Sequence, residues 1–119
     1  MTEFVFLYRS TPEAQDAAMA TPEKTRQAMA RWRAWMAELV DQGHLRNAGV
    51  PLERSGKVVR GTAKEVMDGP FAETKELVGG FSIVEAKDAA EAARIAAGCP
   101  VLEGGGSVEV RPVRKFDPR

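Results

Sequence analysis

The sequence is poor in the side chains that most often mark chemistry: among 119 residues there is one cysteine, one histidine and one tyrosine. Each scarcity removes a class of function. A lone thiol, Cys99, can form no internal disulfide, which fits a reducing compartment. The lone imidazole, His44, has only Cys99 as a soft companion, too few ligands for a metal centre, so no metal and no cofactor is expected. Charge of one sign is lacking too. The 17 basic residues are matched by 17 acidic ones, which leaves no electrostatic footprint for nucleic acid or an anionic membrane. No apolar run approaches the ~20 residues of a membrane span, and the acidic start Met1-Thr2-Glu3 is not a signal-peptide flank, so a cytoplasmic location is expected.

What is present describes an ordinary globule, 44% hydrophobic and 29% charged, with length for one core, so residues 1–119 read as a single domain. Glu3 to Tyr8 is aromatic and β-branched without a polar break and predicts a strand covered on both faces. Two Thr-Pro-Glu triplets, Thr11-Pro12-Glu13 and Thr21-Pro22-Glu23, each combine a capping residue, a proline at the first helical position and an acid near the positive helix end. The first opens a short helix. The second opens a long one to Gln42, on which Ala28, Trp32, Trp35 and Leu39 form an apolar stripe widened by Met29, Met36 and Val40, with Gly43 as the stop. At this spacing the two tryptophans read as core.

Strands are then predicted from Leu45 towards Pro51, with Asn47-Ala48-Gly49-Val50-Pro51 breaking the first, and over residues 57–61 and about 63–67. Gly80 to Glu85 is a further strand, with Phe81 and Ile83 on one face and Ser82 and Val84 on the other. Asp88-Ala89-Ala90-Glu91 starts an alanine-rich helix that ends at Gly98. Gly104-Gly105-Gly106 reads as a connector, and Ser107 to Val113 as the last strand. This order gives an α+β chain of ferredoxin-like βαββαβ type with an elaborated central β-excursion. Both helices would cover one sheet face. The other is expected to carry Ser82, Val84, Glu109, Arg111 and Val113, too apolar a mixture to face water, and a second copy packed over it would make a homodimer enclosing a semi-polar cleft.

The densest stretch is Asp68-Gly69-Pro70-Phe71-Ala72-Glu73-Thr74-Lys75-Glu76. Asp68-Gly69 reads as a turn pair, Pro70 fixes the direction that follows, and Phe71 anchors the bend. Asp68 would then be held at a fixed geometry, as a carboxylate acting as base, acid or acceptor must be. The competing reading is a rigid corner with Glu73, Lys75 and Glu76 in water.

This stretch, with Gly79-Gly80-Phe81 and the closing Val108-Glu109-Val110-Arg111-Pro112-Val113, resembles the DGPF family, a branch of the YCII-related proteins. The resemblance covers nearly the whole chain. It implies a ferredoxin-like unit that pairs into a dimeric α+β barrel, in a family whose members mostly lack an assigned activity. Relatives carry a histidine on the long helix, proposed to work with an aspartate. The matching position here is Trp32, so a histidine–aspartate mechanism does not carry over. Some relatives are attached to transcription-initiation factors.

The expectation is therefore a protein that binds a small organic molecule in the cleft. Asp68 is the candidate catalytic residue, and Arg60, Phe71, Glu73, Lys75, Glu109, Arg111 and Trp32 are the candidate ligand contacts. Two alternatives stand beside it: an acid/base enzyme working through Asp68, with Arg60 or Arg111 orienting an anionic substrate, and a partner-binding module linked to transcription.

Overall fold

A computed structural model describes residues 1–70 and 75–118. The elements run β1 (Thr2–Ser10), α1 (Pro12–Ala18), α2 (Pro22–Asp41), β2 (Leu45–Asn47), β3 (Gly56–Arg60), β4 (Glu65–Gly69), β5 (Leu77–Ala86), α3 (Ala89–Ala96), a 3-10 turn (Pro100–Gly104) and β6 (Ser107–Pro112). Strands β2, β5, β1 and β6 form an antiparallel sheet in that order, and β3 and β4 form a separate two-stranded hairpin. With the hairpin set aside, the order is that of a ferredoxin-like βαββαβ unit. The α+β class and the central β-excursion read from the sequence are the ones observed.

The caps act as their residue types require. The Thr11 and Thr21 hydroxyls accept from the amides of Ala14 and Lys24, and Asp88 accepts from that of Glu91. Each satisfies a helix amide that has no intrahelical partner. At the far end of α2, Gly43 takes a φ of +77° and the His44 amide turns back to the Leu39 carbonyl. His44 then pins β2 to β5, its Nδ1–H donating to the Glu85 carbonyl.

The core lies between the helices and one face of the sheet. Phe4, Phe6 and Tyr8 point into it from β1, Val84 and Ala86 from β5, Trp35 and Leu39 from α2, and Ala92 and Ala96 from α3. The small alanine contacts bring α3 close to the sheet. The stripe on α2 is narrower than the sequence implied: Met29 and Val40 are exposed, since they lie beyond the helix surface that the sheet and the 3-10 turn cover.

Two further expectations are corrected. Ser82 and Val84 are fully buried on the helix side, so Phe81 and Ile83 are the β5 residues on the open face. Polarity made Ser82 look outward. Its hydroxyl instead accepts from the Tyr8 hydroxyl at 2.8 Å and donates to the Ala48 carbonyl at 2.8 Å, which removes the cost of burying it. Val113 lies one residue past the end of β6 and continues its pairing, its amide donating to the Glu3 carbonyl of β1. The second correction concerns Asp68 and Gly69, which are the end of strand β4 and not a turn pair. Gly69 is needed for space: a Cβ there would come within 2.5 Å of a Val58 methyl. The Gly69–Pro70 bond that follows is cis.

Candidate functional site

The open face of the sheet has an apolar centre and a charged rim. Val5 and Leu7 of β1 stand opposite Ile83 and Phe81 of β5. Glu109 of β6 stands opposite Leu7, and Arg111 opposite Val5. Arg9, next in the same alternation along β1, reaches Glu109 through two donors, at 2.8 and 3.1 Å. The other oxygen of Glu109 lies 3.9 Å from the Arg111 guanidinium, so this carboxylate sits between two cations. On the far rim Arg46 pairs with Glu85.

Arg9 also lines a cavity of about 340 Å3 where the hairpin joins the sheet. Glu53, Arg54 and Lys57 complete its polar wall with Glu76, and Val58, Pro70, Leu77 and Val78 its apolar one. The volume falls at the lower end of the range for small-molecule sites, and the mixture of apolar wall and a few charged groups is what such sites use. Each of its three cations is held by a carboxylate from a different element. Arg9 pairs with Glu109 of β6, Arg54 with Asp16 of α1 at 3.0 Å, and Lys57 with Asp68 of β4 at 2.6 Å. An anionic ligand could therefore be exchanged for a resident carboxylate without leaving a buried charge unpaired.

The sequence-derived candidates separate on this geometry. Glu109 reaches the cavity through Arg9, and Arg111 follows behind it, whereas Asp68 pairs with Lys57 on the hairpin face opposite the one whose Val58 walls the cavity. Asp68 itself is 90% exposed in the single chain, so no burial desolvates its carboxylate there. Arg60 stands opposite Glu65 at the far end of the hairpin, about 10 Å along the strand from Lys57. Lys75 is exposed. Phe71 and Glu73 lie outside the described residues. Trp32 belongs to the other side of the sheet, packed edge-on against Tyr8 at 4.9 Å and Trp35 at 5.9 Å. Its partly buried ring fits the core role that helical spacing implied.

Arg9 and the Tyr8–Ser82 pair are absent from the sequence-derived candidates, whereas Lys57 belongs to the basic cluster Arg54, Lys57 and Arg60, read from the sequence as a solvated face able to pair with an acidic ligand if set near Asp68, and it does pair with Asp68. For Arg9 a signal existed, a charge continuing the Val5, Leu7 alternation at the end of an apolar strand. Tyr8 and Ser82 are buried, and desolvation drives the Tyr8 hydroxyl well above the ordinary phenol range against a smaller downward effect of its Ser82 hydrogen bond. That pair is structural glue, with no readily released proton. Among the described residues no group of three or more His, Cys, Asp or Glu is placed to hold a metal ion, and no helix is long and apolar enough to cross a membrane.

Cys99 is 2% exposed, and burial pushes its thiol from near 9 up to about 12. Because the folded value is raised, the contribution to stability is fully present below pH 9 and is lost as pH rises through 9 towards 12. Cys99→Ala is expected to flatten the alkaline fall of stability over that window, leaving the part due to Tyr8, as urea midpoints measured from pH 7 to 11 would show. At pH 8 the native thiol should react with a disulfide reagent at least 100-fold more slowly than the unfolded chain. Equal rates would mean an accessible thiol.

A family model describing the YCII-related domain matches residues 2–117. No curated protein matches the sequence significantly.

Proposed function

The chain belongs to the YCII-related family, and on that premise we propose that it is a cytoplasmic homodimer of the DGPF branch that binds a small anionic organic molecule. The site is the cavity at the foot of the hairpin, continued along the charged edge of the open sheet face. The observation that carries this reading is the meeting of Arg9 and Arg54 on one cavity with an apolar back wall, bordered by Lys57, whose ammonium is turned to Asp68 on the other face of the hairpin. The dimer is supported by the open face: Val5, Leu7, Phe81 and Ile83 form an apolar centre flanked by ion pairs, the core-and-rim pattern of an interface. Packed face to face, two such sheets would give the α+β barrel that the resemblance implies.

Binding is favoured over catalysis because the acid/base set is thin. Asp68 is solvated and ion-paired, and the helix position of the relatives' histidine is a packed tryptophan. Asp68→Asn distinguishes the two, since it keeps shape and removes the proton-accepting charge.

The test is a thermal-shift screen of the whole chain against small carboxylates and phosphates. A ligand at 100 times its Kd stabilises the native state by about 2.7 kcal/mol, a rise in Tm of several degrees. Arg9→Ala should lose that shift, with affinity at least 10-fold weaker, because a charge-assisted hydrogen bond is removed. If no anion shifts the wild type, or if Arg9→Ala responds as the wild type does, this cavity is not the site.

A further inference from the structure

We propose that the β3–β4 hairpin is a dimerisation arm that lays Val59 and Val66 on a second copy of this chain. The inference rests on the dimer proposed above and adds to it a contact outside the sheet faces. The starting observation is that the ribbon is apolar on both sides. Val58 stands opposite Met67 on one face, and Val59 opposite Val66 on the other. Val58 is partly buried and walls the cavity, whereas Val59 is 65% and Val66 62% exposed. A ribbon of two strands is marginal by itself, and a cross-strand valine pair stabilises it fully only when something covers the pair.

The molecule's shape places the arm where another chain could use it. The Cα radius of gyration is 16.0 Å. A compact domain of this length has one of about 13.5 Å. The principal extents are 47 × 46 × 21 Å, a plate one helix layer and one sheet thick. Among the described residues none covers the valine face of the arm, and the apolar centre of the open sheet face stays partly exposed.

Area sets what the two surfaces together would offer a second copy. Four strands at ~4.8 Å spacing and about six residues of length give the open face roughly 400 Å2 in projection. A stable protein interface takes about 800 Å2 from each partner. That figure counts accessible surface, which exceeds the projected area of a face made of side chains, and the exposed Val59 and Val66 of the arm would add apolar area to what the sheet face offers. Charge agrees with a two-fold partner. Lys57 and Asp68 lie side by side on the valine face of the ribbon, and a pair of opposite charges is self-complementary when a surface meets its own copy. The consequence for the site is direct. One face of the arm walls the cavity and the other would rest on the second chain, so pairing would hold the cavity wall in place.

The experiment is sedimentation equilibrium of the full chain over a wide concentration range, for the wild type and for Val59→Thr/Val66→Thr. Threonine keeps the β-branched shape and strand preference, so the hairpin should persist while the apolar contact is lost. The wild type should show twice the chain mass of 12.9 kDa. The double variant should dissociate with a Kd raised at least 100-fold, since four valines across the two chains leave the contact. Its far-ultraviolet spectrum and tryptophan fluorescence should not change. Val59→Glu/Val66→Lys, whose opposite charges face each other across the ribbon and support it, should dissociate as well. Val40→Thr, at a comparably exposed valine of α2, should leave the Kd as it was. A wild type that stays monomeric overturns the dimer and the arm together. A dimer that both double variants leave intact overturns the arm alone and returns the interface to the sheet face.

Discussion

Phe6→Ala is expected to lower the unfolding free energy by about 3–5 kcal/mol, the range for removing a fully buried phenylalanine and leaving a cavity. The position determines this. Phe6 is 0% exposed, lies at the centre of β1 between Ser82 of β5 and Val110 of β6, and stacks on Trp35 of α2 with ring centroids 6.3 Å apart. It therefore joins β5, β1 and the edge strand β6 to the long helix, and no neighbour can shift into its space without pulling a strand or α2 inward. A domain of this size has ~5–15 kcal/mol of stability in all, so the loss is a large share of it. Urea unfolding at protein concentrations low enough to keep the chain monomeric would measure it. Leu7→Ala is the internal control. Its side chain leaves the opposite face of the same strand and is only partly buried in the single chain, so it should cost clearly less. Equal losses for the two would mean that the covered and open faces of the sheet have been interchanged.

The comparison of Phe6 with Leu7 also shows where the sequence stops being readable. An apolar strand, two capped helices and an alanine-rich third helix follow from local rules, because capping groups, prolines and periodicity act within a few residues. Which face of a strand turns inward does not. Alternation shows that Phe81 and Ile83 share a face and that Ser82 and Val84 share the other, but the choice depends on what lies above each. Ser82 is buried because a tyrosine 74 residues earlier and a carbonyl 34 residues earlier supply its hydrogen bonds. The candidate site has the same difficulty at longer range. Glu109 is legible as a charge on a strand, yet its meaning comes from Arg9, 100 residues away in sequence. Asp68 read as a corner because Asp-Gly-Pro usually is one. Here β3 pairs with it first, and Lys57 takes the carboxylate that a turn would have used. Arg60 and Lys57, three residues apart in a basic cluster, are separated by the extended rise of the strand, and only Lys57 reaches the cavity.

Gly49→Ala is expected to cost about 3–5 kcal/mol, although the change adds one methyl group on an exposed stretch of chain. Gly49 has a φ of +69°, a conformation that costs an L-residue about 1–2 kcal/mol. A Cβ at this position would sit 1.7 Å from the Phe81 carbonyl oxygen, a backbone atom of β5 that cannot swing aside as a side chain would. The strand must stay, so the segment around residue 49 would have to lift from its edge. That segment is held by contacts which would go with it: the Asn47 side chain accepts from the Gly49 amide, the Leu52 amide donates to the Gly79 carbonyl, and Ser82 donates to the Ala48 carbonyl. Losing the last leaves a buried hydroxyl short of an acceptor, worth a further ~1–3 kcal/mol. Gly43→Ala isolates the backbone effect, since Gly43 has a φ of +77° with nothing within 4 Å of an added Cβ, and it should cost only about 1–2 kcal/mol. Chemical denaturation of both variants measures the difference. A larger loss at residue 49 would tie the edge of β5 to this glycine and, through Phe81, to the open face on which a second copy is proposed to pack. Equal losses would mean that the segment lies further from β5, and the buried Ser82 hydroxyl would then need another acceptor.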